Sequence, residues 1–94
     1  MAVIHKYVIQ PSEEIQHVSV PYGSKIVSCG VQDGQVVMWV MKLEGAASPD
    51  TFLRFMVVRT GWNIDGTEYY PKFRGTAQVD GYVWHVIEMQ DIPF

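Results

Sequence analysis

Asp33-Gly34 lies between two apolar runs in the stretch Lys25 to Leu43, KIVSCGVQDGQVVMWVMKL, and no other feature constrains the fold as tightly. A two-residue type I′ turn needs positive φ at both central positions, and Asp-Gly is a preferred pair for it. With that turn, Gln32 pairs with Gln35, Val31 with Val36, Cys29 with Met38 and Val27 with Val40. Side chains alternate across a strand, so Val27, Cys29, Val31, Val36, Met38 and Val40 share one apolar face, which must be core. The other face carries Ile26, Ser28 and Gly30 against Val37, Trp39 and Met41. Trp39 falls diagonal to Gly30, where no side chain obstructs the indole.

A second such pair, Asp80-Gly81, joins Phe73–Val79 to Tyr82–Met89. The same rule pairs Val79 with Tyr82, Ala77 with Trp84 and Gly75 with Val86 on an apolar face. Arg74, Thr76, Gln78, Val83, His85 and Ile87 take the opposite face. Val3–Ile9 and Ile15–Val20 read as two further strands, antiparallel to each other across a turn at Pro11–Glu14. Phe52–Thr60 is another, with Leu53, Phe55 and Val57 on one face and Phe52, Arg54, Met56 and Val58 on the other. Apolar residues on both faces predict cover on both sides or an oligomer contact. Between these strands, Glu44–Asp50 is a loop of small residues in which Ser48-Pro49-Asp50 suits the start of one helical turn. About seven strands with turn signals between them predict a single all-β domain over residues 1–94, an antiparallel sandwich or a small barrel.

Composition removes several classes of function. A net charge of −3 and a pI near 5.4 argue against a duplex nucleic-acid binder, which needs a basic face. A small anion held by one or two arginines stays compatible. No stretch approaches the ~18 apolar residues of a membrane span, and no signal-peptide pattern opens the chain. Cys29 is the single cysteine, so neither an intramolecular disulfide nor a cysteine-rich zinc site can form.

The residues that carry chemistry are scattered. His5, His17 and His85 lie on separate strands without a short-spaced ligand pair, so no metal or other cofactor is expected. Cys29 faces the core by its register and lacks the electropositive setting of a nucleophile. The segment Gly61–Gly66 lacks the lysine and following helix of a phosphate loop, and the dispersed carboxylates form no acid–base pair. The chain therefore reads as a binding protein and not an enzyme. Its candidate surface is the loop Gly61–Pro71, GWNIDGTEYYP. Trp62, Tyr69 and Tyr70 there either fold back as a lid on the sheet or form a contact surface. Asn63 lies in the same loop, with Arg59, Arg74 and His85 as polar partners nearby. Aromatic residues and arginine are the usual hot-spot types of interfaces.

Three stretches, PYGSKIVSCGVQDGQVVMWV from Pro21, FMVVRTGWNI from Phe55 and FRGTAQVDGYVWHVIE from Phe73, occur in an order that resembles a family of small uncharacterised bacteriophage and prophage proteins. The likeness runs from about Lys6 to Glu88, and Val83-Trp84-His85-Val86-Ile87-Glu88 is its most specific piece. The chain departs from the family pattern at Arg59-Thr60-Gly61-Trp62 and at Phe73-Arg74-Gly75-Thr76. The resemblance implies a protein in the cytoplasm of an infected bacterium that counters a host process. It would bind a host protein or sequester a small nucleotide-like anionic ligand; separately, apolar side chains on both faces of Lys25–Leu43 and Phe52–Thr60 predict a homo-oligomer. The alternative is a virion structural or assembly component that oligomerises through sheet surfaces.

Overall fold

The computed structural model describes residues 2–43, 50–64 and 68–92. Seven strands follow one another: β1 (Ala2–Val8), β2 (Ser12–Pro21), β3 (Lys25–Gln32), β4 (Gln35–Leu43), β5 (Asp50–Arg59), β6 (Tyr69–Val79) and β7 (Tyr82–Asp91). They pair antiparallel in two sheets, ordered β1-β4-β3 and β2-β5-β7-β6. Of the two expected architectures the chain adopts the sandwich. The edges β3 and β6 approach each other but do not hydrogen-bond into a closed barrel.

On β4 and β5 the core is what the alternation predicts, whereas Val31, expected inside, is 41% exposed beside the β3–β4 turn. Val36, Met38 and Val40 of β4 face Leu53, Phe55 and Val57 of β5, with Ala77 and Val86 beside them. Ile9, Val20 and Ile26 complete the layer, and Tyr7, Val18, Cys29 and Trp84 pack against it. Fully burying a side chain such as Phe55 or Val57 contributes about 1.5–3 kcal/mol.

Both turns form as the Asp-Gly pairs require, with φ of 52° at Asp33, 73° at Gly34, 51° at Asp80 and 82° at Gly81. Gln32↔Gln35, Val31↔Val36 and Cys29↔Met38 pair as expected, as do Val79↔Tyr82, Ala77↔Trp84 and Gly75↔Val86. Each ladder then slips by one residue. In β3 the bulge lies at Val27, so Ile26 and not Val27 opposes Val40. Ile26 is 6% exposed in the core, and Val27, expected inside, is 49% exposed. In β6 the bulge lies at Arg74, which leaves the face it was expected to share with His85. Bulges gather on edge strands and increase local twist, and both strands are edges.

The first two strands do not form a hairpin. β1 pairs with β4 and β2 with β5, so Ile9–Pro11 carry the chain from one sheet to the other. Pro11 has no N–H to give a ladder, while Ile9 donates its N–H to the Val36 carbonyl at 3.0 Å before the crossing. The segment 44–49 falls outside the described residues, and with it Ser48 and Pro49 of the expected helical turn; Asp50 already belongs to β5.

The outer faces are handled differently. On the four-stranded sheet, Met56, Val58, Ile87 and Met89 form a second small core beneath Ile15, Trp62 and Tyr69. The chain's own residues thus cover Met56 and Val58 on the second face of β5, while Phe52 on the same face stays half exposed. On the three-stranded sheet, Trp39 lies against Gly30, where an added Cβ would stand 3.4 Å from the ring, as the diagonal placement predicted. Lys6 of β1 reaches across β4 to the Gln32 side chain, while Ile4 and Val8 stay exposed.

Candidate functional site

Antiparallel pairing of β5 with β7 sets Arg59 opposite Trp84 at the end of the sandwich that carries both Asp-Gly turns. The Arg59 guanidinium lies 4.3 Å from the Tyr82 ring centre and 6.0 Å from that of Trp84. Trp62 meets Trp84 edge-on, with ring centres 5.6 Å apart. Its backbone N–H closes the turn after β5 by donating to the Arg59 carbonyl at 3.1 Å, and Gly61 supplies the positive φ of 93° that this turn needs. The result is one cluster in which a cation lies over two neighbouring aromatic rings, Tyr82 and Trp84, worth about 0.5–1 kcal/mol per exposed cation–π contact. Beside it, Trp84, Val79, Ile9 and Val36 line a notch of about 110 Å³ between the two turns.

The other expected site residues disperse. Tyr69 and Tyr70 belong to β6, not to a loop, and alternate to opposite faces of the sheet. Tyr69 packs on the outer small core with the Arg54 guanidinium 5.2 Å from its ring, and Arg54 also pairs with Asp91 at 3.4 Å. Tyr70 is exposed, opposite Gln90. Asn63 is exposed beyond Trp62. Residues 65–67 of the expected loop are outside the described residues.

His85 is held by its neighbours. Its Nε2 lies 2.8 Å from the Thr60 hydroxyl and its Nδ1 3.1 Å from that of Thr76. A neutral imidazole donates from one nitrogen and accepts at the other, and two hydroxyls serve either tautomer. Both ring nitrogens are thereby engaged, which fits a structural role. His17 packs edge-on against Phe52 and His5 accepts from the Lys42 ammonium at 3.4 Å. Among the described residues, no three His, Cys, Asp or Glu side chains converge on a metal-sized space.

Arg74 sits toward the other end of the sheet. Its Nε donates to Glu88 Oε1 at 2.9 Å, and Gln90 Nε2 reaches Glu88 Oε2 at 3.5 Å. Cys29 faces Gly75 across the sandwich, where an added Cβ would stand 2.9 Å from the Cys29 Cβ. Burial pushes the Cys29 thiol up to about 11, an effect that the positive charge of Arg74 only partly opposes. At neutral pH the thiol is protonated and a poor nucleophile.

Sequence reasoning missed Tyr82 and Trp84 as partners of Arg59, because only the β5–β7 pairing brings them together. It also missed Glu88, although a signal was present: alternation places Trp84, Val86 and Glu88 on one face, and a carboxylate on a core face requires a cation.

Fold and surface together define a small antiparallel β-sandwich with an aromatic–arginine cluster at one end. The chain belongs to the family described as a domain of unknown function (DUF7352), whose model matches residues 1–93. The match spans the stretches that carried the resemblance to a family without assigned activity. Comparison with curated proteins and with solved structures gives no match.

Proposed function

We propose that this chain is a non-catalytic binding protein that engages a protein partner through Arg59, Tyr82, Trp84 and Trp62. The observation that carries this reading is the notch beside the cluster. Its volume of about 110 Å³ suits one inserted side chain and is well below the ~300–1,000 Å³ of small-molecule sites. Trp84 lines the notch, and Arg59, Tyr82 and Trp62 cluster on Trp84 beside it; Arg, Tyr and Trp are the residue types that carry most interface energy. The motif resemblance supplies the setting: a phage-encoded accessory protein acting on a host protein in the infected cell.

The test is native mass spectrometry of the protein recovered from infected cells, as wild type and as Arg59→Ala/Tyr82→Ala. Both residues are exposed, and circular dichroism first establishes that the variant folds. A heteromeric complex seen with wild type and lost in the variant supports the reading. A complex that survives both substitutions excludes this surface.

A second reading, assembly of identical copies, draws on the outer face of the three-stranded sheet, where Ile4 is 59% and Val8 46% exposed. It predicts only multiples of the 10.7 kDa chain in the same spectra.

A further inference from the structure

A polar cleft of about 410 Å³ opens where the start of β3 faces the far ends of β6 and β7. Ser24, Lys25, Lys72, Arg74, Glu88 and Gln90 line it. Its cations come from three places that sequence does not connect: Lys25 just after the β2–β3 turn, Lys72 within β6, and Arg74 at the β6 bulge. One carboxylate, Glu88, faces them, so the lining is positive in a chain of net charge −3.

That carboxylate is already engaged. Glu88 is 8% exposed, with one oxygen taking the Arg74 Nε–H and the other the Gln90 amide. Glu88 thereby fixes the guanidinium through its Nε edge. Both terminal nitrogens of Arg74 remain without a protein acceptor among the described residues, and neither Lys25 nor Lys72 has an ion-pair partner among them. Ser24 is fully used in shaping the wall: its hydroxyl donates to the Pro21 carbonyl at 2.7 Å and accepts the Leu43 N–H at 3.4 Å. The cleft thus presents a guanidinium fork held by Glu88 and two exposed ammonium groups, with no further acidic side chain lining it among the described residues.

We infer that this cleft binds a small phosphate monoester, the dianionic phosphate seated between Arg74, Lys25 and Lys72. A guanidinium fork pairs a phosphate bidentately, and lysines add point charge. The volume falls within the ~300–1,000 Å³ of small-ligand sites. Among the described residues no aromatic ring lines the cleft, which favours a polar, hydroxyl-bearing body for the rest of the ligand over a stacked base. This inference goes beyond the protein-binding reading, and the nearest residues of the two sites on β7, Trp84 and Glu88, lie four positions apart, roughly 13 Å of strand.

The test is isothermal titration of the full chain with inorganic phosphate, ribose 5-phosphate and, as a neutral control, ribose. Lys25→Gln/Lys72→Gln removes two exposed cations and leaves the Arg74–Glu88 pair intact, so it is expected to fold; thermal melting establishes this. Arg74→Lys keeps a charge for Glu88 but loses the fork. The inference requires binding of both phosphate compounds and not of ribose. It also requires affinity to fall roughly tenfold or more in each variant, with the wild-type affinity declining as salt is raised. Absence of phosphate binding at millimolar concentration, or equal affinity in wild type and the double variant, overturns it. The aromatic cluster is untouched in both variants, so failure here is separate from failure of the protein-binding reading.

Discussion

From Asp33-Gly34 outward, β3 and β4 pair for five positions, Gln32↔Gln35 to Ser28↔Trp39, and β3 then bulges at Val27. From Asp80-Gly81 outward, β6 and β7 pair for five positions, Val79↔Tyr82 to Gly75↔Val86, and β6 then bulges at Arg74. Turn, ladder length and bulge position coincide. The bulged strands are the two sheet edges that approach each other, Cys29 against Gly75. They differ in what the extra residue does. Val27 is released to solvent, whereas Arg74 turns to the buried Glu88 and helps line the polar cleft. A bulge is therefore a backbone device of fixed geometry, and the side chain placed on it decides between mere twist and a site.

Unequal substitution effects at the two bulges are the strongest check on that comparison. Arg74→Met leaves Glu88 buried without its cation and should destabilise by about 3 kcal/mol, whereas Val27→Ala at an exposed position should stay within ~0.5 kcal/mol. Urea denaturation midpoints read both, and equal shifts would remove the distinction.

The turns should behave alike. Gly34→Val and Gly81→Val each force a β-branched residue to positive φ, with open space around the position, so strain alone acts. Each should lose roughly 1–3 kcal/mol in the same denaturation assay. A loss in one variant only would show that one turn forms independently of its Asp-Gly pair.

The seam between the hairpins gives the next effect. Gly75→Ala places a Cβ against the Cys29 Cβ and should cost about 1–2 kcal/mol through overpacking. Adding Cys29→Ala should not restore stability, because the clashing Cβ remains. Adding Cys29→Gly should restore part of it. Recovery with alanine would place the conflict at the sulfur.

The smallest effect is one of pH. The folded Cys29 thiol is held near 11 against an ordinary value of 9.0, so the native state disfavours the thiolate more than the unfolded chain does. The stability this contributes is complete below about pH 9 and is lost as pH rises towards 11. Cys29→Ala should lower the sensitivity of the urea midpoint between about pH 8 and about pH 10 by less than ~1 kcal/mol, since the group is only half shielded from water. An identical alkaline decline in both proteins would assign it to other groups.

Both turns and the inner rows of β4 and β5 were legible because they rest on local rules, Asp-Gly geometry and two-residue alternation. The bulges were not, since Val27 and Arg74 share no chemistry that announces an extra residue; the meeting of two twisted edges puts them there. Sheet membership of β1 and β2 was also hidden, because their partners lie in distant strands. At the candidate site, Arg59 and Trp62 were legible as types. Their union with Tyr82 and Trp84 depends on the β5–β7 register, which no local pattern encodes. Tyr69 and Tyr70 misled because β6 begins earlier than its apolar alternation does.

The crossing of the chain at Ile9–Pro11 has a kinetic consequence. The two hairpins close across two residues each, but β1 must find β4 and β2 must find β5, pairing Val8 with Val37 and Ser12 with Val57. Contacts of such separation repay loop-closure entropy late, and neither sheet can receive its N-terminal strand before its central strand exists. With the two hairpins closed first and the β5–β7 pairing, of comparable separation, to follow, residues 2–21 are expected to dock last, as a clasp over the central strands β4 and β5. Stopped-flow measurements should then show that Val20→Ala chiefly speeds unfolding, with a φ-value near 0, while Val86→Ala slows folding. That outcome would make the N-terminal clasp the determinant of how long the native state lasts, and the hairpins of how soon it forms.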